Sequence, residues 1–183
     1  IQLIKNYQKL KKINNLKNKS VKIKITTLEK YLKKNNSLKL NNLLNYIKKC
    51  DIDEYFKYFL IQGSIASKDY IIGWSDMDTW TVLKDETLED PKRLIKLREI
   101  LYLIYKKINF FSKLQHHGIV VYTELDIKNY LPGYLPKEAL IKNIAMNKND
   151  NDVINIFLSN KKNNFSIKIL RDKFFFLKRA LQN

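Results

Sequence analysis

Apolar residues recur at helical spacing in the first fifty residues. Three stretches show the pattern: Leu3 to Ile13, Leu28 to Leu32, and Leu38 to Ile47. Apolar positions three and four residues apart form one face of an α-helix. Clusters of asparagine and lysine near residues 14–20 and 34–37 separate the stretches. The pattern therefore predicts a helical N-terminal segment over residues 1–50.

A different pattern begins after Glu54, where strand-like segments alternate with helical ones. Three segments have the composition of strands: Tyr55 to Ile61, Met77 to Leu83, and Gly118 to Thr123. Pro91 and Pro136 each stand where an amphipathic helix is predicted to begin. This order predicts an α+β fold, with a small mixed β-sheet flanked by helices over residues 51–150.

The end of the chain is predicted to be helical. Phe165 to Leu181 has the spacing of an amphipathic helix, whereas Val153 to Leu158 is short and ambiguous. Residues 151–183 are therefore assigned to a C-terminal helical segment. The chain is thus expected to have three parts, with a core between two helical segments.

The chain of 183 residues carries a formal net charge of +17, from 35 basic and 18 acidic residues. All but four of the basic residues are lysine, and asparagine and isoleucine are also abundant. An AT-rich coding sequence produces this composition whatever the function, so the charge alone does not indicate a nucleic-acid surface. The excess is still large enough to attract anionic substrates, and nucleic acid is one partner that it suggests.

Secreted and membrane proteins are disfavoured by the sequence. No apolar run is long enough to span a bilayer, and no N-terminal stretch has the order of a signal peptide. The single cysteine, Cys50, excludes an internal disulfide and a cysteine-based zinc site. We expect a cytoplasmic protein with no membrane partner. Because the first residue is Ile1, we also expect a processed chain or a piece of a longer one.

The most informative stretch is Ile61 to Leu83, IQGSIASKDYIIGWSDMDTWTVL. Asp76 and Asp78 are two residues apart on a predicted strand, so their carboxylates point to the same face. Two such carboxylates repel each other unless a cation such as Mg²⁺ or Mn²⁺ lies between them. Gly63 permits the close approach of a phosphate, and Ser64 offers a hydroxyl and an N–H group. The segment predicts a metal platform beside a phosphate cradle.

This stretch resembles the nucleotidyltransferase superfamily that includes DNA polymerase beta, and most closely its small, stand-alone prokaryotic members. The matching residues follow an apolar strand and are Gly63, Ser64, Ala66, Ser75, Asp76 and Asp78. The resemblance is specific over residues 57–84. It implies an α+β nucleotidyltransferase core, with Mg²⁺ (or Mn²⁺) held by Asp76 and Asp78 and a nucleoside triphosphate held by Gly63 and Ser64. It also implies transfer of a nucleoside monophosphate to an acceptor hydroxyl.

The family supplies a third carboxylate on a later strand, and here three alternatives remain open. The predicted strand from Gly118 is preceded by Gln115, His116 and His117 and followed by Glu124. Glu124 could be the base, or His117 could replace it, since an imidazole titrates near neutral pH. Alternatively, the site has no base, and the protein binds nucleotide and transfers slowly or not at all. Adjacent residues of a strand face opposite sides, so at most one of the two histidines is expected to enter the site.

Two classes of function follow. The first is a metal-dependent nucleotidyltransferase whose acceptor is a small molecule, a protein or an RNA end. The second is a non-catalytic module that binds nucleotide or nucleic acid through a degenerate site. In either class residues 1–50 are a candidate surface for a protein partner. Lys68 is a further candidate for contacting the triphosphate, while Trp80 is expected to pack in the core although it shares the face of Asp78.

Overall fold

The computed structural model describes residues 19–128, 130, 137–147 and 153–158, together with the helical residues 5, 8 and 9. Its strands are β1 (Lys19–Lys24), β2 (Phe56–Gln62), β3 (Asp78–Leu83), β4 (Val121–Tyr122), β5 (Ile144–Ala145) and β6 (Val153–Leu158). Its helices are α1 (Leu28–Leu32), α2 (Leu38–Lys48), α3 (Ile52–Tyr55), α4 (Gly63–Ser67), α5 (Asp85–Glu89), α6 (Pro91–Phe111) and α7 (Glu124–Lys128). A 3₁₀ turn covers Lys137–Leu140.

The centre of the fold is a four-stranded mixed sheet in the order β4-β3-β2-β5. Strand β2 is antiparallel to both β3 and β5, and β3 is parallel to β4. In the antiparallel register Gln62 lies opposite Asp78, and in the parallel register Thr81 lies opposite Val121. The fold is therefore α+β with a small mixed sheet flanked by helices, which confirms the predicted class.

A layer of helices covers one face of this sheet. Phe59 and Ile61 point from β2 into a buried cluster with residues of α2 and α6. The helical members of that cluster include Leu40, Leu43, Leu44, Ile47, Leu97, Ile104 and Ile108. Each fully buried aliphatic or aromatic side chain contributes about 1.5–3 kcal/mol to folding. The helix layer therefore fixes the strand that leads into Gly63.

The helix starts follow their sequence signals. Thr27 and Ser37 cap α1 and α2 by accepting hydrogen bonds from the N–H groups of Lys30 and Leu40. Asp90 accepts from the N–H of Lys92 at 2.8 Å at the start of α6, where proline occupies the first turn as predicted. No described helix combines the length and the apolar character needed to cross a membrane.

The opposite face of the central sheet is covered by a second, two-stranded sheet. Strands β1 and β6 pair antiparallel, with Lys19 opposite Leu158 and Lys24 opposite Val153. A second buried cluster joins this sheet to the central one. It includes Ile23, Ile25, Leu60, Trp80, Val82, Ile154 and Ile156. Trp80 is fully buried there, so its predicted role in core packing is confirmed.

Two expectations about the end segments are corrected by the structure. Residues 1–50 are not helical throughout, because 19–24 form β1. Residues 151–183 are not helical throughout, because 153–158 form β6. Both segments pack onto the central sheet through these strands. The predicted helix over 165–181 lies outside the described residues, as does most of the helix predicted to begin at Leu3.

The helix predicted from Pro136 to Met146 is also wrong. Only the turn Lys137–Leu140 is helical, and β5 follows it. The buried Asn143 side chain donates to the carbonyl groups of Leu140 and Lys24 at 2.7 and 2.8 Å. An asparagine side chain that bonds backbone groups in this way competes with helical hydrogen bonds. Pairing of β5 with β2 then favours the extended conformation.

Candidate active site

The Gly-Ser turn joins β2 to α4. Gly63 has φ +68°, a left-handed conformation that side chains rarely adopt. A Cβ at Gly63 would overlap Oδ2 of Asp78 and lie 3.3 Å from its Cγ. The absence of a side chain therefore lets the Asp78 carboxylate rest against the backbone of the turn. The Ser64 carbonyl accepts from the N–H of Asp69 at 3.0 Å, which closes the turn of α4.

A short loop leads from α4 to the aspartates. Two hydrogen bonds join Ile71 and Ser75. The Ile71 N–H donates to the Ser75 hydroxyl, and the Ser75 N–H donates to the Ile71 carbonyl, each at 2.9 Å. Met77 is fully buried between the two aspartates and packs in the cluster under the helix layer. Because neighbouring residues of extended chain point to opposite sides, the burial of Met77 directs Asp76 and Asp78 to the other side.

The two aspartates share an electrostatic environment. Burial raises the pKa of the Asp78 carboxyl, and the negative charge of Asp76 raises it further. The charges of His117 and His116 act in the opposite direction on the same pKa. The structure thus brings both aspartates and both histidines to one place. The repulsion between the two aspartate carboxylates is the kind that a bound cation relieves.

The histidines approach Asp76 more closely than strand geometry predicts. His116 Nδ1 lies 3.3 Å and His117 Nε2 lies 3.9 Å from Oδ2 of Asp76. The ring centroids of the two histidines are 3.7 Å apart. The expectation that at most one histidine enters the site is therefore wrong. Residues 112–120 are not a regular strand, so the rule that adjacent residues face opposite sides does not apply to them.

Gln115 holds the histidine segment beside the aspartates. Its Oε1 accepts from the Met77 N–H at 2.7 Å, and its Nε2 donates to the carbonyl groups of Met77 at 3.2 Å and His117 at 2.7 Å. These bonds replace the ladder that β4 forms with β3 further along. Gln115 is a positioning residue that the sequence analysis did not identify, because nothing in the local sequence indicates that its partner is Met77.

Gln62 is a second residue that the sequence analysis missed. It is 5% exposed and lies opposite Asp78, and antiparallel partners project to the same side of a sheet. Its Oε1 has no hydrogen-bond partner among the residues that the structure describes. An unsatisfied buried acceptor costs about 1–3 kcal/mol. A buried polar group beside Asp78 is thus left for a ligand to satisfy.

Glu124 lies at the other end of the sheet. Its carboxylate accepts from Lys57 Nζ at 2.6 Å and from the Asp85 N–H at 3.4 Å. Lys57 is near the start of β2 and Gly63 follows its end, a separation of roughly 20 Å at the rise of a β-strand. Burial alone would lower the pKa of Lys57, but the hydrogen bond and charge of Glu124 raise it. The alternative in which Glu124 is the base is therefore corrected: Glu124 is a structural ion-pair partner.

Lys68 also makes contacts away from the aspartates. Its Nζ donates to the Lys34 carbonyl at 2.7 Å and lies 5.5 Å from the centre of the Tyr31 ring. The backbone of Lys68 is left-handed, with φ 68°, and ends α4. These contacts tie Lys68 to the end of α1, so its expected contact with a triphosphate is not supported by its position.

A cavity of about 450 Å³ lies in the helix layer rather than at the aspartates. Its described lining comes from α2, the end of α6 and Ile72, and includes Leu43, Tyr46, Lys107 and Phe110. These side chains offer apolar and aromatic surface with a few amines, but no carboxylate or imidazole. The cavity therefore lacks the metal-binding and proton-transfer groups that the aspartate site has.

The structure brings together Gly63, Asp76, Asp78 and His117, with Ser64 next to Gly63 in the chain, and it places Glu124 and Lys68 elsewhere. The site thus combines a turn without a side chain, two carboxylates, two imidazoles and a buried amide. No family model matches this chain, and no curated protein or solved structure matches it either.

Proposed function

We propose that this protein is a metal-dependent nucleotidyltransferase, which moves a nucleoside monophosphate from a nucleoside triphosphate to an acceptor hydroxyl and releases pyrophosphate. One observation carries the proposal. The Asp78 carboxylate rests against the backbone of Gly63 where β2 ends and β3 begins, with Asp76 beside it. This arrangement resembles the Gly-Ser and Asp-x-Asp pair of the polymerase beta-like nucleotidyltransferases.

The residues at this place fit a divalent cation. Asp76 and Asp78 supply hard oxygen ligands, and burial together with the charge of Asp76 makes an ionised Asp78 unfavourable without a counter-charge. Asp76 and Asp78 would hold Mg²⁺ or Mn²⁺, which when bound supplies positive charge to neutralise the phosphates. The unsatisfied Oε1 of Gln62 offers an acceptor to a ligand hydroxyl next to Asp78.

The turn before α4 fits the triphosphate. Gly63 presents backbone without a side chain, which allows a phosphate to approach closely. Ser64 is half-buried and follows directly, so its hydroxyl and N–H are available at the same turn. The net charge of +17 favours the approach of an anionic nucleotide over long distances at low ionic strength.

In this proposal the histidines take the role that a third carboxylate has in the family. His116 Nδ1 and His117 Nε2 lie 3.3 and 3.9 Å from Asp76 Oδ2. Either imidazole could accept the proton of the acceptor hydroxyl, and the closeness of Asp76 would stabilise the imidazolium that forms. Histidine therefore supplies the base in this proposal, and Glu124 does not.

The test is calorimetric titration of a nonhydrolysable nucleoside triphosphate in the presence and absence of Mg²⁺ or Mn²⁺, followed by an assay of radiolabelled monophosphate transfer. We expect binding that requires metal, its loss in Asp76→Asn/Asp78→Asn, and its retention in Glu124→Gln. Glu124→Gln is a matched control because its carboxylate is bonded to Lys57 at the far end of the sheet.

Three outcomes would decide against the proposal. If the folded wild-type protein binds no nucleotide with either metal, the proposed function is wrong. If nucleotide binds but no acceptor hydroxyl is modified, the protein is a nucleotide-binding module, which is the second class that the sequence allows. Binding that is equal in the double variant and in wild type would place the nucleotide site elsewhere.

A further inference from the structure

Three metal-ligating atoms converge at one edge of the aspartate site. A carboxylate oxygen of Asp76 and a ring nitrogen from each of His116 and His117 all lie within 4.8 Å of one another. The two nitrogens are 3.3 and 3.9 Å from Asp76 Oδ2. Donor atoms held about 2.1 Å from one tetrahedral ion are about 3.4 Å apart. The two spacings to Asp76 therefore approach those of ligands on a single ion.

We infer that Asp76, His116 and His117 bind a transition-metal ion of the Zn²⁺ and Co²⁺ class in preference to Mg²⁺. Imidazole nitrogen suits Zn²⁺ and its neighbours in the first transition row, whereas Mg²⁺ takes oxygen ligands and water. Two imidazoles and one carboxylate leave a fourth position open, as in zinc sites that act on a substrate. The inference rests on the proposed function for the role of the metal, although its test needs no nucleotide. With this ion bound neither coordinating ring nitrogen can accept a proton, so the metal-bound state and the histidine-base state of the site exclude each other.

A bound ion accounts for the pairing of the histidines better than an ion pair does. The imidazole rings lie 3.7 Å apart between centroids, so two protonated rings would repel each other at this place. One imidazolium is enough to pair with Asp76, so an ion pair does not account for the position of the second ring. Two neutral imidazoles can instead direct their lone pairs at one cation without repulsion.

The cluster is both held in place and accessible. Gln115 fixes the His117 carbonyl and the Met77 backbone, so the segments that carry the ligands are joined before any ion binds. The side chains of His116 and His117 are 67% and 51% exposed, and that of Asp76 is 22% exposed. An ion can therefore reach the ligands from solvent without a rearrangement of the fold.

Metal binding requires one particular tautomer of His116. Its Nδ1 lies 3.3 Å from the Leu114 carbonyl as well as 3.3 Å from Asp76 Oδ2. A proton on Nδ1 would be donated to one of these oxygens, whereas a metal requires a bare Nδ1 and a proton on Nε2. His117 is expected to bind through Nε2, with its proton on Nδ1. The two histidines should therefore adopt opposite tautomers in the metal-bound protein.

Nuclear magnetic resonance of the imidazole groups tests the inference directly. The chain has two histidines, so tag-free protein labelled with ¹⁵N gives two sets of ring signals. On titration with Zn²⁺ alone we expect both sets to shift together, with saturation at one equivalent, and the two rings to show opposite tautomers. About a hundredfold excess of Mg²⁺ should not reproduce the shifts.

Variants connect the signal to the ligands. His116→Gln, His117→Gln and Asp76→Asn should each weaken the binding of Co²⁺, followed by its visible absorption, by about tenfold or more. Two controls should bind as wild type does. Cys50→Ser removes the single thiol, and Asp51→Asn removes an exposed carboxylate just before α3 from a left-handed residue that asparagine tolerates.

The inference is overturned if only one histidine responds to Zn²⁺ or if Mg²⁺ competes as well as Zn²⁺ does. It is also overturned if the double variant His116→Gln/His117→Gln binds Co²⁺ as tightly as wild type. Melting curves of each variant separate loss of a ligand from loss of the fold, which is expected to survive because both histidines are exposed. Failure of Zn²⁺ binding with intact Mg²⁺-dependent nucleotide binding would refute this inference and leave the proposed function standing.

Discussion

Replacing Gly63 with alanine tests how the turn supports the aspartate site. Alanine at a left-handed position costs about 1–2 kcal/mol of stability. At Gly63 the new Cβ would in addition overlap the Asp78 carboxylate, which would have to swing away. Because the end of a side chain moves more easily than backbone, we expect the larger effect on metal affinity. A fall of about 10–100-fold is typical when the support of a ligand is lost.

Gly73→Ala is the matched control for this variant. Gly73 also has positive φ, at +85°, but a Cβ there would meet nothing within 4 Å. Both variants should therefore lose about 1–2 kcal/mol in chemical denaturation from backbone strain alone. Only Gly63→Ala should weaken the binding of Mn²⁺ in a calorimetric titration. Equal loss of metal affinity in the two variants would refute the proposed contact between Gly63 and Asp78.

A double-variant cycle isolates the steric part. In Gly63→Ala/Asp78→Ala the overlapping carboxylate is absent, so the added Cβ should cost only the strain seen at Gly73. The free energies of unfolding of the two single variants should then fail to add. Sites that do not interact add within about 0.3–0.5 kcal/mol, and additivity within that range would show that the two residues do not press on each other.

Two further predictions concern neighbouring residues. The pKa of Asp78 is raised above its ordinary value of 3.8 in the folded protein. The stability that the protonated carboxyl contributes is therefore complete below pH 3.8. It is lost as the pH rises through the folded-state pKa. In the presence of a chelator, Asp78→Asn should therefore melt at a higher temperature than wild type at pH 7, and the difference in melting temperature should shrink towards pH 3.8. A difference that does not change with pH would show that the charge of Asp78 does not destabilise the fold. Gln115→Ala removes the hydrogen bonds to Met77 and His117, so the free energy of unfolding should fall by about 1–3 kcal/mol. The ring signals of His117 should also shift. Unmoved signals would mean that Gln115 does not position that histidine.

The part of the site that could be predicted from sequence is local in the chain. The strand before Gly63, the turn at Gly63 and the strand from Asp78 follow from residue order, because each depends on near neighbours. The same holds for α6, whose start is encoded by Asp90 as the N-cap and Pro91 in the first turn. Alternation of apolar and polar residues placed β3 correctly, and with it the face that the aspartates share.

The part that could not be predicted depends on partners far away in the sequence. Glu124 was a candidate base until its ion pair with Lys57 placed it at the far end of the sheet, and no local signal indicates that pairing. The role of Gln115 likewise depends on Met77, on another strand. Long-range hydrogen bonds of this kind are decided by the whole fold.

One signal was present and was missed. Val21, Ile23 and Ile25 alternate with lysines in KSVKIKI, and alternation over this length indicates a half-buried strand. Ile23 and Ile25 are indeed buried, while Lys22 and Lys24 are exposed. The surrounding lysines and asparagines instead favoured the prediction of helices separated by breaks. The strand completes its hydrogen bonding only with β6, so its partner could not be inferred locally.

The pairing of β1 with β6 has a consequence for how the chain reaches its folded state. The strands meet across a loop of about 130 residues, and closing such a loop costs entropy before any contact compensates for it. During synthesis β1 emerges early but must wait for residues 153–158, so the face of the central sheet that carries Trp80 stays uncovered until then. Folding should therefore be completed late, with a rate set by this distant closure rather than by the pairing of β2 with β3, which are closer in the chain.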